Sequence, residues 1–187
     1  MGQSHLILLS GAVTAGKTRI AGLLEREHGF SRVSTSGHLK AMAARLGIAV
    51  NRVAMQDLGD REDVESDFTW PVTVAKAQMA ASPGPLWLLD AVRKRRQVQH
   101  FRAQIPGNVL HVHAWAPEAV LRARYEARRA AGEEYGEDGT YDDFVGRPNE
   151  VESRSLIELA DMTLDTSIRS TEDAVRLILD RLSGGAT

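Results

Sequence analysis

The chain has 187 residues, of which 43% are hydrophobic and 26% charged, and its formal net charge is −2. These values are ordinary for a globular protein, so we expect a single domain over residues 1–187. The charge gives no overall signal for nucleic-acid binding, and the absence of cysteine excludes disulfides, cysteine-ligated zinc and thiol catalysis. No apolar run approaches the roughly 18 residues of a membrane span, so we expect a soluble, cytoplasmic protein without a membrane partner.

Short apolar runs alternate with amphipathic stretches, a pattern typical of strands that alternate with helices. In chain order, strands are predicted over 6–9, 31–34, 86–89, 109–115 and 162–164. Helices are predicted over 18–27, 38–46, 51–61, 70–80, 93–104, 117–130, 148–160 and 171–182, the last capped by Thr171. We expect a turn at 35–37, an acidic mobile loop over 60–67 and a glycine-rich mobile lid over 132–139. Together these elements predict an α/β fold with a doubly wound parallel sheet of about five strands.

Residues 11–18 match the pattern G-x-x-x-x-G-K-[ST] at every fixed position and follow the first predicted strand. Glycines let successive backbone N–H groups curl around a phosphate, the lysine reaches the outer phosphates, and the final hydroxyl can ligate Mg²⁺. The dipole of the helix that follows favours bound anions. The pattern therefore predicts a site for the phosphates of ATP or GTP, made by Gly11, Ala12, Val13, Thr14, Ala15, Gly16, Lys17 and Thr18. The alternative is a glycine-rich turn that binds nothing.

Asp90 directly follows the apolar run 86–89, at the carboxyl end of a predicted strand. Open α/β sheets bind their ligands at this edge. A carboxylate there can hold Mg²⁺ together with Thr18, directly or through water, or accept the proton of an attacking hydroxyl. The alternative for Asp90 is a structural cap at the end of the strand.

Four further segments resemble the nucleoside monophosphate kinase-like branch of the P-loop kinases, and the resemblance covers essentially the whole chain. Residues 33–40 resemble V-S-T-G-D-x-L-R, and residues 88–97 resemble D-G-x-R-x-x-x-Q. The segment from Pro117 to Arg128 resembles the lid helix with its paired arginines, and residues 160–166 resemble the terminal strand and the loop that touches the nucleotide base.

The resemblance implies a P-loop kinase fold that uses ATP and Mg²⁺, with an acceptor-binding segment over about 34–80 and a lid over about 122–148. It implies that Lys17, Asp90, Arg124 and Arg128 are catalytic and that Arg147 belongs to the lid. The acceptor-binding residues that it implies are Ser34, Thr35, His38, Lys40, Arg93 and Gln97. For the two lid arginines the alternative is a solvated helix face on which Glu118 and Glu126 are their partners.

Three positions depart from the family pattern, because Gly37, Lys40 and Ala91 stand where the family has Asp, Arg and Gly. Lysine lacks the bidentate fork with which arginine grips a phosphate dianion, which disfavours a free nucleoside monophosphate as acceptor. Within the P-loop kinases the chain is most similar to phage 5-hydroxymethyluridine DNA kinases. That resemblance implies an acceptor hydroxymethyl group on a modified base in DNA, in a phage-infected host cytoplasm.

Two other functions remain open at this point: a kinase of free deoxynucleoside or nucleoside monophosphates, and a nucleotide-binding accessory protein that transfers phosphate to nothing. The predicted helix 93–104 is strongly basic, and its cations either contact DNA phosphates or form a solvated face on which Arg93 alone is functional. Gln97 either forms hydrogen bonds to the edge of a base or lies at the surface. Trp70 either stacks on a flipped base or packs in the core. Glu150 and Glu152 orient Arg147 or are acids of a helix N-terminal turn.

Overall fold

The computed structural model describes residues 4–82, 84–132 and 139–184. These residues form a sheet whose strands are β1 (His5–Ser10), β2 (Ser31–Arg32), β3 (Leu86–Asp90), β4 (Asn108–Trp115) and β5 (Met162–Asp165). The helices are α1 (Lys17–His28), α2 (Thr35–Leu46), α3 (Arg52–Glu65), α4 (Trp70–Ala81), α5 (Arg95–Gln104), α6 (Glu118–Ala130), α7 (Tyr141–Val145), α8 (Pro148–Ser155) and α9 (Thr171–Gly184). A 3₁₀ turn, Leu156–Leu159, follows α8.

The sheet has the strand order β2-β3-β1-β4-β5, and all of its neighbouring pairs are parallel. β1 lies at the centre, where Leu9 is in register with Asp90 of β3 and with Val112 of β4. The chain reverses its direction of winding at β1, so the carboxyl ends of β1 and β3 flank the crevice that such sheets use for ligands. The predicted α/β fold with a doubly wound, five-stranded parallel sheet is confirmed.

Helices cover both faces of the sheet, because the side chains of β1 alternate between two buried cores. Ile7 and Leu9 pack into a core with apolar residues of α1, α6, α7 and α9. Leu6 and Leu8 pack into a second core with residues of α4 and α5. All four side chains are fully buried, as expected of a central parallel strand that reads as a continuous apolar run.

The turn predicted over 35–37 is wrong, because α2 already begins at Thr35. Ser34 is its N-cap, and the Ser34 hydroxyl accepts a hydrogen bond of 3.1 Å from the backbone N–H of Gly37. Such a cap satisfies one of the unpaired donors of the first helical turn. The turn-forming residues at 35–37 therefore lie inside the helix that they were expected to precede.

The acidic loop predicted over 60–67 is also wrong for most of its length, because α3 continues to Glu65. Two acids in this part of the helix have partners elsewhere in the fold. Asp63 accepts hydrogen bonds from side chains of α4 and α5, and Asp60 accepts them from Asn149 of α8. Partners distant in the sequence thus stabilise a helix whose local composition favours a loop.

Near the C-terminus, two further differences concern helix boundaries. Ser170 caps α9, because its hydroxyl accepts a hydrogen bond of 3.0 Å from the N–H of Asp173; the prediction of Thr171 as the cap is wrong. The short helix α7 was not predicted, and a capping box between Thr140 and Asp143 begins it. The lid predicted over 132–139 lies almost wholly outside the described residues, since 133–138 are not among them.

Across the described residues, the structure contains no helix that is both long enough and apolar enough to cross a membrane.

Candidate active site

The phosphate loop, residues 11–18, connects β1 to α1 at the carboxyl edge of the sheet. Gly11 has φ +129°, and a Cβ at this position would lie 2.0 Å from the carbonyl oxygen of Ala114 on β4. Any larger residue would therefore displace the loop from the strand. Thr14 is buried in a left-handed conformation with φ 59°, and its hydroxyl donates to the carbonyl oxygen of Leu121 on α6 at 2.9 Å. These contacts give the loop a defined shape between β4 and α6.

Lys17 is a residue of the phosphate loop, and its side chain contacts the backbone of the same loop. Its ammonium group donates to the carbonyl oxygens of Gly11 at 2.7 Å and Ala12 at 2.6 Å. Burial lowers the pKa of Lys17 to about 8, an effect that the carboxylates of Asp90 and Glu150 partly offset. The lysine is therefore mostly charged at pH 7, and its charge lies where the outer phosphates of a nucleotide are expected.

A cavity of about 220 Å³ opens beside the phosphate loop. Besides Lys17 and Thr18 of the loop, its walls include the predicted site residues Asp90, Arg93, Arg128 and Arg147. The structure thus brings together one side chain from β3 and one from α6 with two side chains from the segments that precede α5 and α8. Carboxylates and several cations in one crevice suit a reaction in which negative charge is transferred.

Asp90 is the last residue of β3, and its side chain is only 9% exposed. Its Oδ2 lies 3.5 Å from Nη1 of Arg32, which comes from the neighbouring strand β2. Asp90 also lies close enough to Lys17 to raise the pKa of that lysine against the effect of burial. The carboxylate therefore faces the same cavity as the phosphate loop.

The donors for a metal ion at this cavity are few. In the stretches 4–82, 84–132 and 139–184 no cluster of three or more His, Cys, Asp or Glu side chains could hold a metal by itself. Mg²⁺ usually keeps several waters and binds through one or two protein oxygens together with substrate phosphates. The exposed hydroxyl of Thr18 and the carboxylate of Asp90, both on the cavity wall, fit that mode of binding.

A second, larger cavity of about 580 Å³ lies on the other side of the loop, between α1, α6 and α9. Arg124 and Thr166 are among its lining residues, and Arg128 borders both cavities. Arg124 donates to the hydroxyl of Thr166 at 2.9 Å and to the carbonyl oxygen of Thr166 at 2.6 Å. The loop after β5, for which the sequence resemblance implied contact with the nucleotide base, borders this cavity. The structure places Arg128, and not Arg124, on the cavity that holds Asp90.

The acceptor residues predicted on α2 are at the surface and do not line the 220 Å³ cavity. Thr35 is half-buried, Ser34 and Lys40 are exposed, and Ser34 exchanges backbone hydrogen bonds with the amide of Gln78 on α4. The His38 ring stacks on Trp70, with 5.9 Å between centroids and 20° between planes. Trp70 is half-buried, and its ring packs against that of His38.

Gln97 is buried, which contradicts its alternative placement at the surface. Its amide oxygen accepts from the backbone N–H of Arg93 at 3.2 Å, and its amide nitrogen donates to Asp63 at 2.8 Å. Asp63 also accepts from the indole N–H of Trp70 at 2.7 Å, and burial raises the pKa of Asp63. Gln97 thus connects Asp63 of α3 to the backbone of Arg93.

The basic cluster around α5 forms ion pairs within the molecule. Arg95 pairs with Glu158 at 2.6 Å, Arg102 pairs with Asp161 at 2.7 Å, and Arg96 pairs with Asp67. Lys94 lies 3.1 Å from Glu152 of α8. Arg93 is the member of the cluster that lines the 220 Å³ cavity. This position is the one expected if the other cations of α5 form a solvated face and Arg93 alone contacts a substrate.

Three residues of α8 also line this cavity: Asn149, Glu150 and Ser153. The sequence does not predict that any of them contacts the phosphate loop. All three are buried. Glu150 Oε1 accepts from the N–H of Val13 in the phosphate loop at 2.8 Å, and Ser153 donates to the carbonyl oxygen of Gly11 at 3.1 Å. Because 137 residues separate Glu150 from Val13, no local sequence pattern could have predicted this contact.

Two buried histidines lie on β4 behind the loop and share a hydrogen bond with Ser10. His111 Nδ1 lies 3.2 Å from the carbonyl oxygen of Leu159, so this nitrogen carries the proton. His111 Nε2 therefore accepts from the Ser10 hydroxyl at 2.7 Å, and His113 Nδ1 donates to the same hydroxyl at 2.9 Å. Both imidazoles are neutral in this arrangement.

We expect these histidines to make the protein less stable in acid. Burial, followed by the neighbouring His111 and Lys17, which disfavour a second positive charge, lowers the pKa of His113 to about 4. In the unfolded chain the pKa of a histidine is about 6.5. Between these two pKa values the unfolded chain binds more protons than the folded chain, so the free energy of unfolding falls as the pH falls. The expected loss is about 3 kcal/mol. Urea titrations of wild type and His113→Asn at pH 7 and pH 4.5 measure it; His28→Asn, at an exposed position, should keep the wild-type pH dependence.

No family model matches the sequence. A UPF0200 protein of Thermococcus gammatolerans is 25% identical to the chain over 188 residues, which cover 96% of each protein. This similarity extends over nearly the full length of both chains.

Solved structures of similar fold cover nearly the whole chain. A candidate kinase from Chloroflexus aurantiacus superposes with a TM-score of 0.61 at 17% identity over 100% of both chains. The tunicamycin resistance protein of Deinococcus radiodurans gives 0.61 at 19% identity over 96% of both chains. A sugar kinase from Janibacter gives 0.55 at 16% identity, over 97% of this chain and 95% of the other. The chain therefore shares its α/β fold with these structures.

Proposed function

We propose that the protein is a Mg²⁺-dependent P-loop kinase that transfers the γ-phosphate of ATP to a small acceptor. The observation that carries this proposal is the shared cavity at the carboxyl edge of the sheet. There the phosphate loop, the carboxylate of Asp90 and the cations Arg93, Arg128 and Arg147 all face the same space. Phosphoryl transfer needs little covalent help from a protein and depends on such positioning and on charge stabilisation.

In the proposed reaction the loop N–H groups and Lys17 hold the outer phosphates of ATP, while Arg124 and Thr166 border the base site. Thr18 and Asp90 would hold Mg²⁺, and the bound ion would neutralise charge on the phosphates. Where the acceptor is a hydroxyl, Asp90 accepts its proton as the oxygen bonds to the γ-phosphorus; the ionised phosphate oxygen of a nucleotide attacks without losing a proton. The bond from this phosphorus to ADP breaks, and Arg128 and Arg147 stabilise the charge on the transferred group.

Arg93 supports an acceptor that is small and carries an anionic group, such as a free nucleotide. It lines the same cavity as Asp90, and ion pairs neutralise Arg95, Arg96 and Arg102 of α5. A guanidinium beside the base can orient an acceptor phosphate or carboxylate in a bidentate geometry. A neutral sugar hydroxyl is a further acceptor of this size, of the kind that the name of the Janibacter neighbour indicates for that protein.

The hydroxymethyl group of 5-hydroxymethyluridine in DNA is the second candidate acceptor. Asp90 favours it, because a neutral hydroxyl needs a base more than a phosphate oxygen does. The internal ion pairs of α5 give this candidate no support, since the same cations would have to contact DNA phosphates.

Transfer of label from γ-labelled ATP tests the proposal. The panel contains nucleoside and deoxynucleoside monophosphates, sugars, unmodified DNA and DNA with 5-hydroxymethyluridine. We expect label in a small acceptor, and label only in the modified DNA would assign the DNA kinase function instead. ATP binding without transfer to any of them, lost in Lys17→Ala, would identify a nucleotide-binding accessory protein.

A further inference from the structure

Glu150 on α8 makes a direct hydrogen bond to the phosphate loop. Its Oε1 accepts from the backbone N–H of Val13 at 2.8 Å, and the residue is 8% exposed. A carboxylate is a costly group to bury unless its partners are well arranged. Here it occupies one of the loop's own N–H donors, the class of group with which such a loop holds phosphates.

The Glu150 carboxylate is itself held in place by an ion-pair network. Arg154, one turn later in α8, donates from Nε to Oε1 of Glu150 at 3.0 Å. The same guanidinium donates to Glu118 of α6 at 2.8 Å and to the hydroxyl of Tyr141 of α7 at 3.0 Å. These hydrogen bonds outweigh burial and raise the pKa of Arg154. Three helices therefore fix the position of one carboxylate beneath the loop.

A second contact from the same helix holds the beginning of the loop. Ser153, one turn after Glu150, donates to the carbonyl oxygen of Gly11 at 3.1 Å, and Lys17 donates to that same oxygen at 2.7 Å. Thus α8 contacts both an N–H and a C=O of the segment that leads to Lys17. Both α8 residues also line the 220 Å³ cavity.

We propose that Glu150 is a positioning residue for phosphoryl transfer, which acts by holding Val13 and thereby the geometry of the phosphate loop. This inference rests on the proposed kinase function. Its physical basis is that the hydrogen bond to a buried carboxylate keeps the peptide at Val13 from rotating, which preserves the orientation of the other N–H groups of the loop. A displacement of about 1 Å in a reacting group can cost on the order of 100-fold in rate.

Two neutral variants of similar size separate the hydrogen bond from the charge. Glu150→Gln keeps an oxygen that can accept from Val13, whereas Glu150→Leu removes it, and both remove the negative charge. We expect Glu150→Leu to lower kcat by on the order of 100-fold with little change in KM for ATP, and Glu150→Gln to retain most of the wild-type rate. Glu158→Ala, which removes an exposed acid beyond α8, should leave the rate unchanged.

Equal loss of kcat in both variants would overturn the inference, and so would a change confined to KM. Amide hydrogen exchange at Val13 gives a readout that needs no turnover. We expect faster exchange in Glu150→Leu than in wild type and Glu150→Gln, and equal exchange in all three would overturn the inference. If wild type transfers phosphate to no acceptor, the proposed function fails while this exchange still decides the contact. Should Glu150→Leu not fold, Glu150→Ala replaces it in both measurements.

Discussion

Substitution of Lys17 by alanine is expected to remove phosphoryl transfer, by on the order of 1,000-fold or more in kcat/KM. The ammonium group is the partly buried cation of the phosphate loop, where it donates to the carbonyl oxygens of Gly11 and Ala12. Its charge is screened less by solvent there than that of an exposed lysine, so it stabilises developing negative charge more strongly. Steady-state kinetics with the acceptor identified by label transfer measures the loss.

Lys76→Ala is the matched control, because this lysine lies on the exposed face of α4. It should keep wild-type kinetics, and circular dichroism should show the same fold in both variants. The pKa of about 8 for Lys17 adds a pH test, since kcat/KM reports ionisations of the free enzyme. We expect kcat/KM for ATP to fall as the pH rises through about 8. Turnover that survives Lys17→Ala would contradict the assignment of the loop.

Substitution of Asp90 by asparagine is expected to lower kcat by on the order of 100- to 10,000-fold, the range of a general base. Asparagine keeps the size of the side chain but cannot accept the proton of the attacking oxygen, and it binds Mg²⁺ less well. Because Asp90 lies on the cavity wall and not in the phosphate loop, the affinity for ATP without metal should change little. Isothermal titration with ATP and single-turnover kinetics separate these two quantities.

Asp180→Asn, at an exposed position of α9, is the corresponding control for loss of an acid. It should leave both binding and turnover unchanged. A variant Asp90→Asn with a normal kcat would show that Asp90 only caps β3, as the structural alternative holds. Loss of folding in Asp90→Asn, seen as a lower melting temperature, would point to its contact with Arg32 across β2 and β3.

The elements that the sequence predicts correctly are those whose signals are local. The apolar run of β1, the glycines and lysine of the loop, and the amphipathic period of α1 all lie within residues 5–28, and their arrangement is as predicted. The order of strands and helices is enough to predict the doubly wound sheet, because parallel strands need helical crossovers.

The failed prediction of an acidic loop, and several contacts that the sequence did not predict, depend on residues distant in the chain. An acidic stretch reads as a loop, yet Asp60 and Asp63 are satisfied by Asn149 of α8 and by Gln97 of α5. For the basic residues of α5 the sequence leaves both a DNA contact and a solvated face open, and in the structure Arg102 pairs with Asp161, 59 residues away. Glu150 resembles an ordinary acid of a helix N-terminus until the fold brings it to Val13. In each case the partner, and not the residue type, determines the role.

The register between β1 and β3 has a mechanical consequence for the site. Leu9 is paired with Asp90, and the N–H of Val92 donates to the carbonyl oxygen of Leu9 at 2.9 Å. Adjacent strands lie about 4.8 Å apart, so the sheet itself sets the spacing between the phosphate loop and the carboxylate. Movements of the surrounding helices can reshape the entrance for substrates without changing that spacing. A slip of one residue between these two strands would instead turn Asp90 to the opposite face of the sheet.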